Sequence, residues 1–245
     1  MRDDLFRLTE DEFFQYIRCP LHYDSVYRKR FSPACEPTMN TLLGKAAASF
    51  YSNLMNGTVM TTGQLKQKWD RICEENADYV TPQRCLDGIA LIMKLYRWAA
   101  EVELRIADRS VPYVVGIKGS HGTTEFSGHI DTVAIDRDNS FYLLVTEFGS
   151  RYPSQSILDT KLKLSMDSYA FRTMYQKWAG IKVHHVKSNK DFFTSRRLED
   201  DMRLFASVDG VAWSIHNGIF YPRESAFCAS CDLVNFCRGW PARES

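Results

Sequence analysis

Three cysteines lie close together in the stretch Phe227-Cys228-Ala229-Ser230-Cys231-Asp232-Leu233-Val234-Asn235-Phe236-Cys237. Their C-x2-C-x5-C spacing is typical of a metal site or of a disulfide knot. A fourth metal ligand would have to come from elsewhere, and Cys19 is the candidate because Pro20 bends the chain directly after it. Taken alone, Cys19 is better interpreted as a small buried apolar residue.

The composition is that of an ordinary globular protein. The 245 residues are 44% hydrophobic and 25% charged, with a formal net charge of +1, so no strong field favours nucleic acid or a membrane surface. No apolar run is long enough to span a membrane, and the charged start Met1-Arg2-Asp3-Asp4 does not resemble a secretion signal. We therefore expect no membrane partner and a reducing, cytoplasmic compartment, where clustered thiols favour metal binding over disulfides.

The order of elements predicts an α/β protein. Residues 1–107 carry mainly helical patterns, beginning with a capping box at Thr9–Glu12. Strand patterns follow at 113–117, 123–135 and 141–148, and the turn Asp136–Asn139 joins the last two as a hairpin. A helix starting at Ser154 or Ser156, a strand at 181–186 and a helix over Arg197–Asn217 complete the pattern. We expect one domain over 1–245, with a helical insertion at 36–107 and a tail at 220–245 that pairs with Cys19.

Two carboxylates stand on neighbouring predicted strands. Asp131 lies in Gly128-His129-Ile130-Asp131, and Glu147 ends the following strand. If the hairpin forms, both side chains approach one end of the sheet. Two hard oxygen ligands at that place suit a magnesium or manganese ion for phosphodiester hydrolysis. The alternative is that both are surface acids on strand edges.

The whole chain resembles the PD-(D/E)XK nuclease superfamily, in particular its iron–sulfur RecB-type branch, which includes the AddB nuclease, CRISPR-associated RecB-like exonucleases and phage relatives. In order, that branch has Cys-Pro in an early helix, G-x-x-x-H, G-x-(I/V)-D, (D/E)-x-K, Q-L-x-x-Y and C-x2-C-x5-C. The matching residues are Cys19-Pro20, Gly44, Gly128, Ile130, Asp131, Glu147, Tyr169, Cys228, Cys231 and Cys237. The resemblance implies a restriction-endonuclease-like core, a central mixed sheet flanked by helices.

The resemblance also implies a cofactor and a setting. It makes Cys19, Cys228, Cys231 and Cys237 the ligands of a structural 4Fe–4S cluster, with zinc as the rival because four thiolates also suit it. It further implies a phage or mobile-element protein, located in the host cytoplasm or in a virion. Three cysteines lie outside the motif: Cys73 and Cys85 are interpreted as helix-core residues, and Cys35 as a loop thiol.

Three motif residues of the resembled branch are replaced here. Ala48, Gly149 and Ser165 stand where the motif histidine, lysine and glutamine are expected. Loss of a preorganised group such as the lysine typically costs about 10²- to 10³-fold in rate. Lys161 or Lys163, on the helix that follows, can reach the same place, Arg151 is another candidate cation, and water can replace a histidine on magnesium.

These replacements favour a depleted catalytic site and a non-catalytic binding or assembly role. DNA and the proteins of an assembly or a replication and repair complex are then the candidate partners. The alternative is an active metal-dependent DNA exonuclease or endonuclease, in which Asp131 and Glu147 hold magnesium or manganese and Lys161 or Lys163 replaces the missing lysine.

Overall fold

The computed structural model describes residues 6–31, 37–150 and 153–239, so Cys35 and Arg151 lie outside the described residues. The chain divides into two compact units. The cysteine unit comprises 1–35, 112–128 and 202–245, and the carboxylate unit comprises 36–111 and 129–201. Within the described ranges, no helix is both long and apolar enough to cross a bilayer.

The described helices and strands follow the predicted alternation. The helices are α1 (Glu10–Arg18), α2 (Pro20–Tyr23), α3 (Met39–Met55), α4 (Thr62–Glu75), α5 (Pro82–Glu101), α6 (Gln155–Thr160), α7 (Leu162–Tyr175), α8 (Leu198–His216) and α9 (Val234–Arg238). The strands are β1 (Phe6–Thr9), β2 (Arg105–Gly119), β3 (Gly122–Ile135), β4 (Phe141–Glu147), β5 (Gly180–His185) and β6 (Lys190–Thr194). A π-helical turn, Asp24–Arg28, follows α2, and a 3-10 turn, Ala226–Ser230, precedes α9.

The strands form a mixed sheet in the order β1-β3-β4-β5-β6, and β2 also pairs with β3. β1 is parallel to β3 and β5 is parallel to β4, whereas β4 is antiparallel to β3 and β6 is antiparallel to β5. The parallel step from β4 to β5 passes through α6 and α7, as a parallel connection requires a long crossover.

Helices cover both faces of the sheet in the carboxylate unit. Leu144 of β4 belongs to a buried core with apolar side chains of α3, α4 and α5, among them Trp69. Phe141 of β4 packs against Phe171 of α7, with 6.1 Å between ring centroids. Residues 141 and 144 point to opposite faces because side chains alternate along a strand. The α/β fold class, a mixed sheet flanked by helices, is therefore confirmed.

Three differences from the sequence patterns have local causes. β1 and β6 were not predicted because each has only four or five residues, too few for a periodic signal to stand out. The predicted helix after Ser154 is broken at Lys161, whose extended backbone (φ −69°, ψ 113°) ends α6 and begins α7. This break puts Lys161 at the N-terminus of α7.

Cys73 and Cys85 are joined by a disulfide between α4 and α5. Both are partly buried against the helical core of the carboxylate unit. Their Cα atoms are 6.2 Å apart, within the span of a disulfide. The sequence predicted core residues but not the bond, because the approach of the two thiols depends on how α4 packs on α5.

The start of the cysteine unit follows its local sequence signals. Glu12 N donates to Thr9 Oγ1 at 3.2 Å, and Thr9 N donates to Glu12 Oε2 at 2.9 Å, which confirms the predicted capping box. Cys19 ends α1 with an extended backbone (φ −161°, ψ 109°), and Pro20 then begins α2. The predicted bend at Cys19 is therefore present.

A carboxylate of α8 holds the turn between β2 and β3 within the cysteine unit. The side chain of Asp209 accepts hydrogen bonds from Ser120 N (2.9 Å) and His121 N (3.1 Å), and its Oδ2 lies 2.9 Å from His121 Nδ1. A Cβ atom at Gly119 would lie 2.2 Å from the Asp209 carboxyl carbon, so the close approach requires glycine there.

Replacing Asp209 with Ala should lower the free energy of unfolding by about 1–3 kcal/mol, because partly buried N–H donors lose their acceptor. Burial raises the pKa of Asp209, but hydrogen bonds from His121 and Ser120 outweigh it and lower the pKa below its ordinary value. The stabilisation is therefore present above the unfolded pKa and is lost as pH falls through the lowered folded value. Urea unfolding at acidic and neutral pH should show a weaker pH dependence in the variant. If the free energy of unfolding depended equally on pH in wild type and variant, this expectation would be wrong. Asp138→Ala, at an exposed position, is the control.

Candidate functional site

Asp131 and Glu147 extend from the same end of the β3–β4 ladder. Val133 lies opposite Leu143, Asp131 precedes Val133 by two residues, and Glu147 follows Leu143 by four. The paired residues end at Val133 and Leu143, so both carboxylates lie beyond the same end of this antiparallel ladder. Asp131 is exposed, and the Glu147 side chain is 35% exposed. A solvated ion can therefore reach both carboxylates.

The described residues supply no third acidic, histidine or cysteine ligand that converges with these two carboxylates. Magnesium normally retains several water ligands and takes only one or two carboxylates from the protein. The pair Asp131 and Glu147 therefore fits a magnesium or manganese ion that is completed by water and by substrate oxygens.

The two candidate lysines lie at the start of α7 and contact different strands. Lys161 Nζ lies 2.9 Å from Glu147 Oε1. Lys163 Nζ donates to the carbonyl oxygen of His129 at 2.9 Å and to Asp167 Oδ1 at 2.6 Å. Of the two lysines, Lys161 is therefore the one that places its charge on a carboxylate of the candidate site.

The space beside Gly149 is occupied by an imidazole. His185 Nε2 lies 2.9 Å from the carbonyl oxygen of Gly149, and His185 Nδ1 lies 2.7 Å from Ser188 Oγ. His185 pairs with Glu147 across the parallel β4–β5 ladder and is 1% exposed. Gly149, at the position of the motif lysine, thus contributes only its backbone carbonyl, which contacts His185. Any cation at the carboxylates has to come from another element.

Arg109 of β2 is a second cation at this site. Its Nη1 donates to the carbonyl oxygen of Ala48 and to Ser52 Oγ (2.6 Å). Burial lowers the pKa of Arg109, and the negative charge of Asp131 acts in the opposite direction. The guanidinium is therefore anchored to the residue that replaces the motif histidine, at a distance where its charge still interacts with that of Asp131.

Ser165, at the position of the motif glutamine, has a structural contact. It is fully buried, and its Oγ accepts a hydrogen bond from Arg196 Nε at 2.8 Å. Arg196 Nη2 also donates to the carbonyl oxygen of Leu158 at 2.7 Å. This position ties α7 to the segment before α8 and offers no free group to a substrate.

The four cysteines of the sequence motif all belong to the cysteine unit. Cys19, Cys228, Cys231 and Cys237 are free thiols. Burial raises the pKa of Cys231 and of Cys237, and the negative charges of Cys19 and Cys228 raise both further. The charge of each thiolate is therefore felt by the others. A cation bound among them would relieve the repulsion between thiolates, so the donor set fits a tetrathiolate metal centre or cluster.

The segments that carry these cysteines lie directly against each other. The backbone N–H of Leu21 donates to the carbonyl oxygen of Tyr221 at 3.0 Å. The hydroxyl of Tyr16 donates to the carbonyl oxygen of Ile219 at 2.6 Å. The guanidinium of Arg18 lies 4.9 Å from the centre of the Phe227 ring. The region around Cys19 is therefore held on the C-terminal region by contacts that do not involve the thiols.

A histidine and an aspartate join this metal-binding region. Ligand atoms of His22, Cys231 and Asp232 all lie within 4.8 Å of one another, so this group could hold a metal ion. The sequence favoured a structural or surface role for His22, three residues after Cys19, and did not mark Asp232 or Arg109. None of the three belongs to a motif, and the pairing of His22 with Asp232 becomes visible only in the folded chain.

Comparisons with known proteins support the fold alone. No family model matches this chain, and no curated protein matches it. A crystal structure of a candidate exonuclease from Eubacterium rectale superposes with a TM-score of 0.57 at 10% identity, covering 95% of this chain and 87% of that protein. The structure of the protein SSO0001 covers 80% of this chain and 93% of that one at 10% identity, but its TM-score of 0.39 carries no argument.

Proposed function

We propose that the carboxylate unit is a metal-dependent DNA-cleaving core of the PD-(D/E)XK type, in which Lys161 replaces the missing motif lysine. The observation that carries this proposal is the 2.9 Å contact between Lys161 Nζ and Glu147 Oε1. Gly149 has no side chain to offer, and Lys161 brings an ammonium group to the same carboxylate from the start of α7. The fold shared with a candidate exonuclease supports the proposal.

The chain's own residues have distinct tasks in this proposal. Asp131 and Glu147 would hold a magnesium or manganese ion, which supplies an activated water and Lewis-acid stabilisation of the phosphate when bound. Lys161 orients Glu147 and adds positive charge where negative charge develops on the phosphate. Arg109, anchored on Ala48 and Ser52, supplies a second positive charge on the Asp131 side.

The four thiolates belong to the same proposal as a structural centre. Cys19, Cys228, Cys231 and Cys237 would hold a 4Fe–4S cluster, with zinc as the rival, and so join the two segments of the cysteine unit. The resemblance to the iron–sulfur RecB-type branch supports iron. Anaerobically purified protein that contains iron and sulfide would agree with a cluster, and colourless protein with one zinc would replace it by a zinc centre.

The test of cleavage compares wild type with Asp131→Ala on linear and circular DNA, with magnesium or manganese and with EDTA. We expect metal-dependent degradation by wild type and none by the variant, because the variant loses a metal ligand. Asp138→Ala, an exposed acid in the turn of the same hairpin, is the matched control and should cut like wild type. If wild type cuts no better than Asp131→Ala on any substrate, the nuclease proposal is wrong.

One observation favours a second function, a non-catalytic binding or assembly role. Lys161 contacts Glu147, so this carboxylate already has a positive partner within the chain, and the charge of Arg109 also interacts with that of Asp131. In that case the metal is dispensable, and the unit would bind DNA or the proteins of an assembly or repair complex, in host cytoplasm or in a virion. Equal DNA binding with and without EDTA, together with no cleavage by wild type, would support this second function.

A further inference from the structure

The cysteine unit contains a buried histidine whose two ring nitrogens are both engaged. His22 is 6% exposed. Its Nδ1 lies 2.8 Å from Gln15 Nε2, and its Nε2 lies 2.9 Å from Asp232 Oδ1. Its ring also packs against Phe227 in a T-shaped arrangement, with 5.5 Å between centroids. Such full engagement holds the ring in one orientation.

The partners of His22 determine which nitrogen carries the proton. The side-chain amide nitrogen of Gln15 donates, so His22 Nδ1 accepts. The neutral ring then carries its proton on Nε2 and donates it to Asp232. The carboxylate of Asp232 is thereby fixed, although its side chain is 30% exposed and it lies in a turn before α9.

Asp232 passes this constraint to Cys231 through the backbone, because the two residues are adjacent in the chain. The Asp232 Oδ1 atom lies 4.0 Å from Cys231 Sγ. Cys231 is the middle cysteine of the C-x2-C-x5-C motif, whereas His22 lies three residues after Cys19. The hydrogen bond between His22 and Asp232 therefore connects the two segments that supply the four thiols.

We propose that His22 and Asp232 form a latch that holds Cys231 in position for metal binding, with Gln15 fixing the orientation of His22. This inference builds on the proposed metal centre and concerns positioning residues, which are not themselves assigned as ligands. Hydrogen-bonding partners behind metal ligands typically change metal affinity by about 10- to 100-fold when they are removed. The latch predicts an effect of that size without a change in the ligands.

Metal-free protein titrated with zinc against a competing chelator measures this effect. We expect His22→Phe, which keeps a buried ring, and Asp232→Ala to weaken zinc affinity by about 10- to 100-fold each. The zinc affinity of the double variant should equal that of the single variant with the lower affinity, since the two residues act as one unit. Because Asp232 is partly exposed, Asp232→Ala keeps the test valid if His22→Phe folds poorly.

A second histidine–aspartate pair in the same unit provides the matched control. His121 Nδ1 lies 2.9 Å from Asp209 Oδ2, far along the chain from the four cysteines, and His121→Phe should bind zinc like wild type. Thermal unfolding of the metal-free proteins separates a loss of folding from a loss of affinity. Cobalt(II) in place of zinc shows through its absorption spectrum which types of ligand bind the metal. The thiolate-to-cobalt charge-transfer bands should keep their shape in both latch variants.

The outcomes distinguish this inference from the proposal on which it rests. Equal affinity in wild type, His22→Phe and Asp232→Ala would overturn the latch and leave the four-cysteine centre intact. A changed cobalt spectrum would also overturn it, because His22 or Asp232 would then be a direct ligand. If wild type binds no metal while folded, both the centre and the latch are wrong.

Discussion

Replacing Lys161 with Met should slow DNA cleavage by about 100- to 1,000-fold, the usual cost of losing one preorganised positive group at a developing negative charge. Methionine keeps the length of the side chain and removes the ammonium that lies 2.9 Å from Glu147 Oε1. Both partners are more than a third exposed, so the free energy of unfolding should change by less than about 1 kcal/mol. Single-turnover cleavage with saturating manganese measures the chemical step directly.

Lys163→Met is the matched control for Lys161→Met. Lys163 lies on the same turn but contacts His129 and Asp167, so its loss should change the cleavage rate much less. A rescue makes the test sharper: Gly149→Lys in the Lys161→Met background returns a lysine to the motif position and should restore part of the rate. If Lys161→Met cuts as fast as wild type, Lys161 is not the relocated lysine, even though the nuclease proposal itself survives.

Replacing Cys19 with Ser should remove the bound metal and destabilise the cysteine unit. A ligand present at a thousand times its dissociation constant stabilises the folded state by about 4 kcal/mol. In a chain of this size that corresponds to a fall in Tm of about 8–16 °C. The effect is large because Cys19 is the one motif thiol contributed by the N-terminal segment. Metal analysis and thermal unfolding of wild type and variant, each with and without a chelator, check the expectation.

Cys85→Ser separates metal binding from the other cysteine chemistry of the chain. It breaks the disulfide with Cys73 in the carboxylate unit and should leave the metal content unchanged. A chelator should lower the Tm of wild type and of Cys85→Ser but not that of Cys19→Ser. Full metal content in Cys19→Ser would exclude Cys19 as a ligand and return it to the role of a buried apolar residue.

Signals that act over a few residues predicted the local structure well. The capping box at Thr9 and Glu12 starts α1, Pro20 bends the chain after Cys19, and the turn after Ile135 makes β3 and β4 a hairpin. Each of these depends on hydrogen bonds or backbone preferences within about four residues. The short strands β1 and β6 escaped prediction because their pairing, rather than their own sequence, makes them strands.

The sequence predicted only those residues of the candidate site that belong to a motif. Asp131, Glu147, Cys228, Cys231 and Cys237 stand out in sequence motifs, and Cys19 joins them through the family resemblance. In the structure, Asp131 and Glu147 lie beyond the same end of the β3–β4 ladder. Arg109 carries no such mark. It reaches the carboxylate unit's site because β2 runs past α3, where Ala48 and Ser52 accept its hydrogen bonds.

The sequence by itself determined the α/β class and the hairpin with its two carboxylates, since these follow from periodicity and turn chemistry. The set of four thiols is what the family resemblance implies. Only the tertiary structure decided between Lys161 and Lys163, because the break at Lys161 and the packing of α7 set which ammonium reaches Glu147. It alone also joined His22 to Asp232 across 210 residues. Such contacts depend on distance in space, which a linear pattern does not encode.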